Sequence, residues 1–208
     1  MLAVAFALAS LGSLARTAGG QPTFEEIVDR LSQVNASLQT LIVEQVADIR
    51  LLGFFRWRLH ATVYAARPAS YKVVIHDAPY LLRGLGQAFS DISSPERVLA
   101  DYRAVAIRSS PEGRLVVDIV GNGPQVNPPS GTIVVDTQRW LVEESLLKYD
   151  WGDVRASYRY DQIGGYLLPV LIRVSVPAVA LHAEVTYGDY RLNVPIPPET
   201  FAKADGGR

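Results

Sequence analysis

The side chains best suited to chemistry are carboxylates that cluster in the second half of the chain: Asp136, Glu143, Glu144, Asp150 and Asp153. Glycoside hydrolysis uses two facing carboxylates, one as an acid and the other as a base or nucleophile. However, Asp136 and Asp153 fall at predicted strand ends, where turns favour aspartate. Glu143 and Glu144 are consecutive, so a strand directs them to opposite faces. The sequence therefore predicts solvated or turn-forming carboxylates here and no catalysis.

Other catalytic and metal-binding patterns are missing from the sequence. It contains no cysteine, which excludes disulfides, thiolate metal sites and thiol nucleophiles. His60, His76 and His182 are isolated and lack metal-ligand spacing, and no serine lies in a G-x-S-x-G motif. The formal net charge of −1 argues against nucleic acid, which requires a basic face. We predict neither a cofactor nor a metal ion nor a nucleic-acid partner.

An Arg-Pro pair interrupts two apolar, alternating runs in the stretch VYAARPASYKVVIH, residues 63–76. Arg67 is either the solvated corner of a hairpin or a residue with a role that faces the rest of the molecule. Its guanidinium presents five N–H donors in a rigid fork, which suits oxygen acceptors. On the residues alone, both interpretations stay open.

Strands must position these residues, because from residue 40 onward apolar positions recur with a period of two. In the clearest run, apolar side chains from Trp57 to Ala65 alternate with Arg58, His60, Thr62 and Tyr64. Strands with one apolar and one polar face, joined by short turns, form antiparallel sheets. We predict a mainly β protein built on a single curved antiparallel sheet of about nine to eleven strands.

An amphipathic helix is predicted over 23–39, ahead of the first strand. Thr23 and Glu26 form a capping box, in which the hydroxyl caps the helix and the third residue reaches back. Apolar side chains then follow at helical spacing: Phe24, Ile27, Leu31, Val34 and Leu38. This helix is predicted to pack on the sheet.

The segment 78–104 breaks the strand pattern with two further helical patterns. The apolar face of the first is formed by Leu81, Leu82, Leu85 and Phe89. It is weakened by Gly84 and Gly86, since glycine costs about 1 kcal/mol relative to alanine in a helix. The second pattern begins at Ser94 with Pro95 at its first position, and its apolar side consists of Val98, Leu99 and Tyr102. This insert is predicted to plug or cover one face of the sheet.

The first 20 residues look like a secretory signal peptide and leader. The apolar stretch 2–15 is too short to span ~30 Å of hydrocarbon, and residues 13–15 offer a small-x-small cleavage pattern. The basic n-region of a signal peptide is missing, so the segment is either cleaved or retained as an anchor. We expect one domain over 21–202, a polar tail over 203–208, and export from the cytoplasm.

The apolar concave side of the predicted sheet has two interpretations. If the helices pack tightly on it, the interior is an ordinary core; if they pack loosely, it is an apolar pocket. Both demand the same alternation of residues. A pocket would suit an acyl chain, because a chain of about 16 carbons gains on the order of 12 kcal/mol when it leaves water.

Three stretches carry motifs whose order and spacing are distinctive. The first is YAARPASYKVV (64–74), in which a strand ends in Arg-Pro and an aromatic residue precedes the next strand. The second, residues 134–174, contains an Asp-ending strand, a Gly-containing turn and a Pro-containing strand. The third is VTYGDYRLNVPIPPETF (185–201), with its strand, asparagine, proline-containing loop and phenylalanine. Together these stretches resemble the LolA family of lipoprotein carriers.

This resemblance implies a half-open β-barrel with a helical lid over an apolar concave face. It implies that Arg67 holds the lid by hydrogen bonds to helix-region backbone, near Gly84 and Gly86, and that Tyr71 lies at the cavity mouth. The ligand site is then expected to comprise Trp57, Leu59, Arg67, Tyr71, Val73, Leu81, Leu82, Leu85, Phe89, Val98 and Leu99.

The function that the resemblance implies is an exported, periplasmic, monomeric carrier without catalytic activity. Its partners would be lipids or lipidated proteins, which it would take by their acyl chains from an inner-membrane donor and pass to an outer-membrane acceptor. The alternative is a LolA-fold sensor or interaction module of envelope regulation. The polar tail after Phe201 is short and the chain lacks cysteine, so it departs both from the extended carriers and from the lipid-anchored receptors of this fold.

Overall fold

The computed structural model describes residues 20–67, 70–76, 99–110 and 112–201. These residues form one α-helix and ten strands: α1 (Phe24–Gln33), β1 (Thr40–Leu51), β2 (Phe55–Ala66), β3 (Ser70–Ile75), β4 (Tyr102–Ser110), β5 (Arg114–Gly121), β6 (Ser130–Asp136), β7 (Leu141–Tyr149), β8 (Gly152–Ile163), β9 (Tyr166–Val176) and β10 (Leu181–Leu192). None of the helices in these ranges is long and apolar enough to cross a membrane.

All ten strands belong to one antiparallel sheet with the order β3-β2-β1-β10-β9-β8-β7-β6-β5-β4. Most neighbouring strands of the sheet are consecutive in the sequence. The exception among the described residues is β1, which pairs with β10. The two edge strands, β3 and β4, do not pair with each other among the described residues, so the curved sheet is a half-open barrel. The predicted fold class is confirmed.

Alternating residues give much of the sheet a buried and an exposed face, as the period of two predicts, although the edge strand β3 does not alternate. In β10, Leu181, Ala183 and Val185 are buried, whereas His182 and Glu184 are exposed. Burying the apolar set on one side fixes the register, because a shift by one residue would exchange the two faces.

Helix α1 begins where the sequence predicts but ends at Gln33, six residues before the predicted end at 39. The Thr23 hydroxyl accepts a hydrogen bond from the Glu26 backbone N–H, and the Glu26 carboxylate accepts one from the Thr23 N–H. Beyond the helix, the Asn35 side chain bonds both the carbonyl oxygen and the N–H of Leu167 in β9. These bonds turn the chain toward the sheet, so the helical spacing of Val34 and Leu38 does not continue the helix.

The buried residues form two clusters on the apolar face. One cluster, under α1, joins Ile27 and Leu31 to residues of β4–β7 such as Val117 and Val135. The other lies on β1, β2 and β7–β10, away from α1, and includes Ile49, Leu59 and Ile172 with Trp57 packed against it. The apolar face therefore runs along the whole sheet, and α1 covers only part of it.

The prediction of a second helix in the insert is wrong at its C-terminal end. Residues Leu99–Asp101 form a short 3₁₀ turn, and Tyr102 and Ala104 already belong to β4. The apolar spacing of Leu99 and Tyr102 fits a turn followed by a strand equally well, since both side chains enter the cluster under α1. The remainder of the predicted insert, residues 78–98, lies outside the described residues.

The connection between β5 and β6 is packed at one point. Pro128 is fully buried, and its carbonyl oxygen accepts a hydrogen bond from the Tyr102 hydroxyl at 2.6 Å. This contact ties the loop to the first residue of β4.

Candidate functional site

An apolar cavity of about 320 Å³ lies between the C-terminal end of α1 and the concave face of the sheet. Leu31, Val34 and Leu38 line it from the helix and the segment after it, and strands from both halves of the curved sheet supply the opposite walls. The residues that line it from the strands include Leu41, Val43, Val63, Ala65, Tyr71, Leu141, Val142, Tyr158, Tyr160, Leu168, Tyr187 and Tyr190. Its volume lies at the lower end of the range of small-molecule sites, roughly 300–1,000 Å³.

Arg67 binds the C-terminal end of α1 at the rim of this cavity. Its Nη2 donates to the carbonyl oxygens of Asn35 at 3.0 Å and Ser32 at 3.3 Å. The last carbonyls of a helix lack intrahelical partners and carry partial negative charge, so a guanidinium is a suitable donor for them. The Arg67 backbone N–H also bonds the Gln39 carbonyl oxygen at 2.9 Å, which anchors the rim to the start of β1.

Tyrosines supply polar groups within the otherwise apolar wall. The Tyr190 hydroxyl donates to the Pro169 carbonyl oxygen, and burial raises the pKa of this hydroxyl. The Tyr160 hydroxyl donates to the Val142 carbonyl oxygen at 2.9 Å. Because these hydroxyls bond backbone carbonyls, the rings present mainly apolar surface to the cavity.

No protein-family model matches the sequence, and no curated protein matches it either. Solved structures do match. A LolA superfamily protein from Nitrosomonas europaea superposes with a TM-score of 0.67 at 14% identity, over 88% of this chain and 99% of that one. The fold is LolA-like.

Two further solved structures share this LolA-like fold. A DUF1329 family protein from Desulfovibrio piger superposes with a TM-score of 0.64 at 12% identity, over 86% of this chain and 95% of that one. An outer membrane lipoprotein-sorting protein domain from Vibrio parahaemolyticus, described as putative in its name, gives 0.62 at 10% identity, over 86% and 97%. The predicted resemblance is confirmed at the level of the fold.

The structure brings two of the predicted site residues, Arg67 and Tyr71, to the apolar cavity. Val73 is half-buried in β3 opposite Val63. Trp57 and Leu59 belong to the cluster away from α1, and Leu99 is buried under α1. The other predicted residues, Leu81, Leu82, Leu85, Phe89 and Val98, lie outside the described residues, as do Gly84 and Gly86.

Sequence reasoning missed several residues that line the cavity. Asn35, Trp140 and Pro169 are among them, and none belongs to a local pattern that indicates a ligand. Val34 and Leu38 carried a signal, because they continue the apolar spacing of α1, but the sequence assigned them to the buried face of a helix.

Two of the carboxylates singled out by the sequence, Asp136 and Glu143, form hydrogen bonds with neighbouring arginines. Asp136 accepts hydrogen bonds from the backbone N–H groups of Gln138 and Arg139 and from the Arg139 Nε at 2.6 Å. Burial raises the pKa of the Asp136 carboxyl, but the hydrogen bonds from Arg139 and the backbone outweigh it and leave the pKa below its usual value. Glu143 accepts from both Arg114 and Arg139.

One polar cluster has the residue types of a nucleophile and its partners. The Thr62 hydroxyl lies 2.9 Å from the Glu44 Oε2 and 2.8 Å from the His76 Nε2. Thr62 is only 3% exposed, so a substrate could not reach its oxygen. Among the described residues, no group of three or more histidines and acids could hold a metal ion.

A second, larger recess of about 1,110 Å³ lies on the opposite, polar face of the sheet. Its charged lining includes five arginines, two glutamates, an aspartate and a histidine: Arg50, Arg56, Arg58, Arg155, Arg173, Glu144, Glu184, Asp48 and His182. We call it the polar recess. Its lining is unsuited to an acyl chain, because burying apolar groups against charged groups forfeits hydration of the charges.

Proposed function

We propose that the protein is a carrier that binds the acyl chain of a lipid or a lipidated protein in the apolar cavity. The observation that carries the proposal is the cavity itself, enclosed by α1 and the concave face of a LolA-like sheet and rimmed by Arg67. The solved structure named as a lipoprotein-sorting domain supports it, since that protein has the same fold.

The size of the cavity suits one chain. Each methylene buried contributes about 0.8 kcal/mol, so even ten methylenes give on the order of 8 kcal/mol, from which the cost of ordering the chain is subtracted. We therefore propose binding of one chain per protein, with the polar head of the ligand outside the rim.

Arg67 is proposed to control access. While its guanidinium bonds the carbonyls of Ser32 and Asn35, the end of α1 stays near Ser70 and Tyr71 at the start of β3, beside the cavity. Release of these two bonds would open the rim between the end of α1 and β3 without breaking any strand pairing, while the buried Ile27 keeps the helix on the sheet. Exposed hydrogen bonds are cheap to break, so they suit a cover that must open for each transfer.

We further propose that residues 1–20 direct export and are removed, and that the domain 21–202 works in the periplasm as a non-catalytic monomer between a donor and an acceptor membrane. N-terminal sequencing of the protein from an envelope fraction tests the processing, and sedimentation tests the monomer. A cytoplasmic protein with an intact N-terminus would contradict export.

Uptake of a fluorescent fatty acid tests the carrier function. Ala65→Trp places an indole in the cavity wall and is expected to lower affinity at least tenfold, since it fills the space that the chain requires. Ala100→Trp, at an exposed position of the 3₁₀ turn, is the matched control and should bind as the unmodified protein does. Equal binding by both variants, or none by the unmodified protein, would favour the sensor or interaction module instead.

A further inference from the structure

Exposed apolar side chains concentrate at one end of the sheet, which we call the hairpin end. It consists of the turns 52–54, 150–151 and 177–180, which are neighbours because β1 pairs with β10 and β8 pairs with β9. Five of the six large hydrophobic residues that are exposed in the described chain lie at or beside these turns: Leu52, Phe54, Phe55, Trp151 and Val179. The sixth, Val105, lies in β4.

The apolar surface of the hairpin end continues the apolar interior. Phe55 stacks on Trp57 with ring centroids 5.5 Å apart, and Phe54 packs on Phe55 at 4.4 Å. Trp151 stacks in the same way on the buried Tyr149, at 4.8 Å. Rings that begin in the core thus end in solvent, and Phe54 is 69% exposed.

The backbone at Leu52 is unfavourable for a leucine. Its φ is +53°, in the left-handed region that asparagine and glycine adopt far more readily than leucine. Leu52 is also half-exposed, so packing does not repay this cost. Its N–H bonds the Ala180 carbonyl oxygen at 3.1 Å and joins two of the turns.

A row that includes three arginines without an ion pair to any described residue lies directly behind the apolar tips, on the polar face. Across β2, β1, β10, β9 and β8, the register places these residues side by side: Arg56, Arg50, His182, Ser175 and Arg155. We call this set the arginine row. The next row inward is compensated, because Arg58 pairs with Asp48 and Arg173 pairs with Glu184.

The arginine row is unfavourable within the isolated protein. Arg50 and Arg56 are direct cross-strand neighbours, and like charges in that position are destabilising. Neither they nor Arg155 form an ion pair with any residue that the structure describes. Of the nearby acids, Asp150 lies in the turn 150–151 and Asp153 follows it in β8, where Lys148 lies opposite Asp153. Asp48 attracts Arg50 but is hydrogen-bonded to Arg58.

We propose that the hairpin end docks the protein on an anionic phospholipid bilayer. The aromatic and aliphatic tips enter the boundary between headgroups and acyl chains, and the arginine row contacts the headgroup phosphates. The spacing fits, because Arg50 precedes Leu52 by two strand residues, about 7 Å, and interfacial apolar groups are buried about 5–10 Å. Uncompensated positive charge behind an apolar tip matches an anionic surface, and it is not the surface that a second, equally cationic copy would favour.

Vesicle flotation tests the proposal with the full chain, on vesicles of phosphatidylcholine alone and of phosphatidylcholine mixed with phosphatidylglycerol. The protein should bind the mixed vesicles and lose binding as salt rises. Phe54→Asp should reduce binding at least tenfold, whereas Val105→Asp, at the other exposed hydrophobic residue, should leave it unchanged. Arg50→Gln with Arg56→Gln should cost about fivefold for each arginine, and Arg108→Gln, whose arginine is paired with Asp118, should cost nothing.

Leu52→Asn separates docking from folding. Asparagine suits the backbone at this position, so the variant should be at least as stable as the unmodified protein and yet bind vesicles more weakly. Failure to bind the mixed vesicles, or binding that Phe54→Asp and Leu52→Asn leave intact, would overturn the proposal; the latter would assign membrane binding to the apolar segment 2–15. A dimer that Phe54→Asp dissociates would identify a second copy as the occupant. These results are independent of fatty-acid uptake, so either proposal can fail alone.

Discussion

The apolar face of the sheet is covered at one end and exposed at the other. At the end near Arg67, α1 and the segment after it cover the apolar face, and polar groups there find partners: Arg67 with helix carbonyls, and Asp136 with Arg139. At the hairpin end, the apolar face runs out to exposed rings, and the arginines behind it lack acidic partners among the described residues.

The difference shows that contacts at the helix-covered end stabilise the fold, whereas the hairpin end contributes little to stability. Satisfied hydrogen bonds and buried contacts at the helix-covered end contribute to folding. Exposed phenylalanines and opposed arginines contribute little or oppose folding. Residues that weaken a fold in this way are expected where a surface meets a partner, and substitutions can test the contrast directly.

The largest effect should come from the core beneath α1. Ile27 is fully buried, and Ile27→Ala should lower the free energy of unfolding by about 2–5 kcal/mol through lost burial and the remaining cavity. Phe54→Ala at the hairpin end, although it removes a larger side chain, should change it by less than about 0.5 kcal/mol. Urea unfolding followed by tryptophan fluorescence measures both, and comparable losses would contradict the contrast.

The next largest effect on the free energy of unfolding should distinguish a paired charge, Asp136, from Arg50, which forms no ion pair with a described residue. Asp136→Ala removes an acceptor of three hydrogen bonds and should cost about 1–2 kcal/mol. Because the pKa of Asp136 is lowered in the folded state, this stabilisation is present above the usual pKa near 4 and is lost as pH falls through the folded value. Arg50→Gln should change the free energy of unfolding little, because the repulsion of Arg50 from Arg56 opposes its attraction to Asp48.

Unfolding curves at neutral pH and at progressively lower pH measure this difference. The gap between Asp136→Ala and the unmodified protein should shrink on acidification. A gap that is constant or grows would show that the charged form of the carboxylate is not what stabilises the β6–β7 turn.

Replacement of Arg67 at the rim of the cavity should affect stability less, but it should clearly change the rate at which bound ligand exchanges. Arg67→Met keeps the length of the side chain but removes both hydrogen bonds to the end of α1, which should cost about 1 kcal/mol, since the group is exposed. Because the rim between the end of α1 and β3 would then open more readily, bound fatty acid should exchange several-fold faster. Stopped-flow transfer to vesicles measures the rate, with Arg108→Met as the exposed control.

The sequence predicts the sheet well, because alternation is a local consequence of having one buried face. The buried and exposed positions of β10 follow it from Leu181 to Tyr187, and it shifts only where Gly188 and Asp189 are both exposed. It predicts the start of α1 to the residue, since a capping box is local. The end of α1 depends on the Asn35 contact with Leu167, 132 residues away, and no local pattern encodes that. The same holds for the Arg67 acceptors and for the row made by Arg56, Arg50 and His182, which exists only once the register is known.

Gln45 lies between the two ends. Its replacement should cause the smallest change in the free energy of unfolding, and this change should be an increase. On the apolar face of β1 it separates Val43, at the cavity, from Ala47, in the cluster away from α1. Its side-chain oxygen is buried and has no hydrogen-bond donor among the described residues, and such a group weakens a fold. Gln45→Met, close in volume, should therefore raise the free energy of unfolding by up to about 1 kcal/mol.

Gln45 has a role in ligand recognition if Gln45→Met weakens ligand binding while it stabilises the fold. An acceptor retained at a cost inside an apolar interior is expected to meet a donor that arrives with the ligand, such as a hydroxyl or an amide near the acyl chain. Gln45→Met should then bind an N-acylated or hydroxylated ligand more weakly and a plain fatty acid equally well. If the variant is more stable and binds every ligand unchanged, the glutamine is a tolerated imperfection, and the apolar face recognises chains by their hydrocarbon alone.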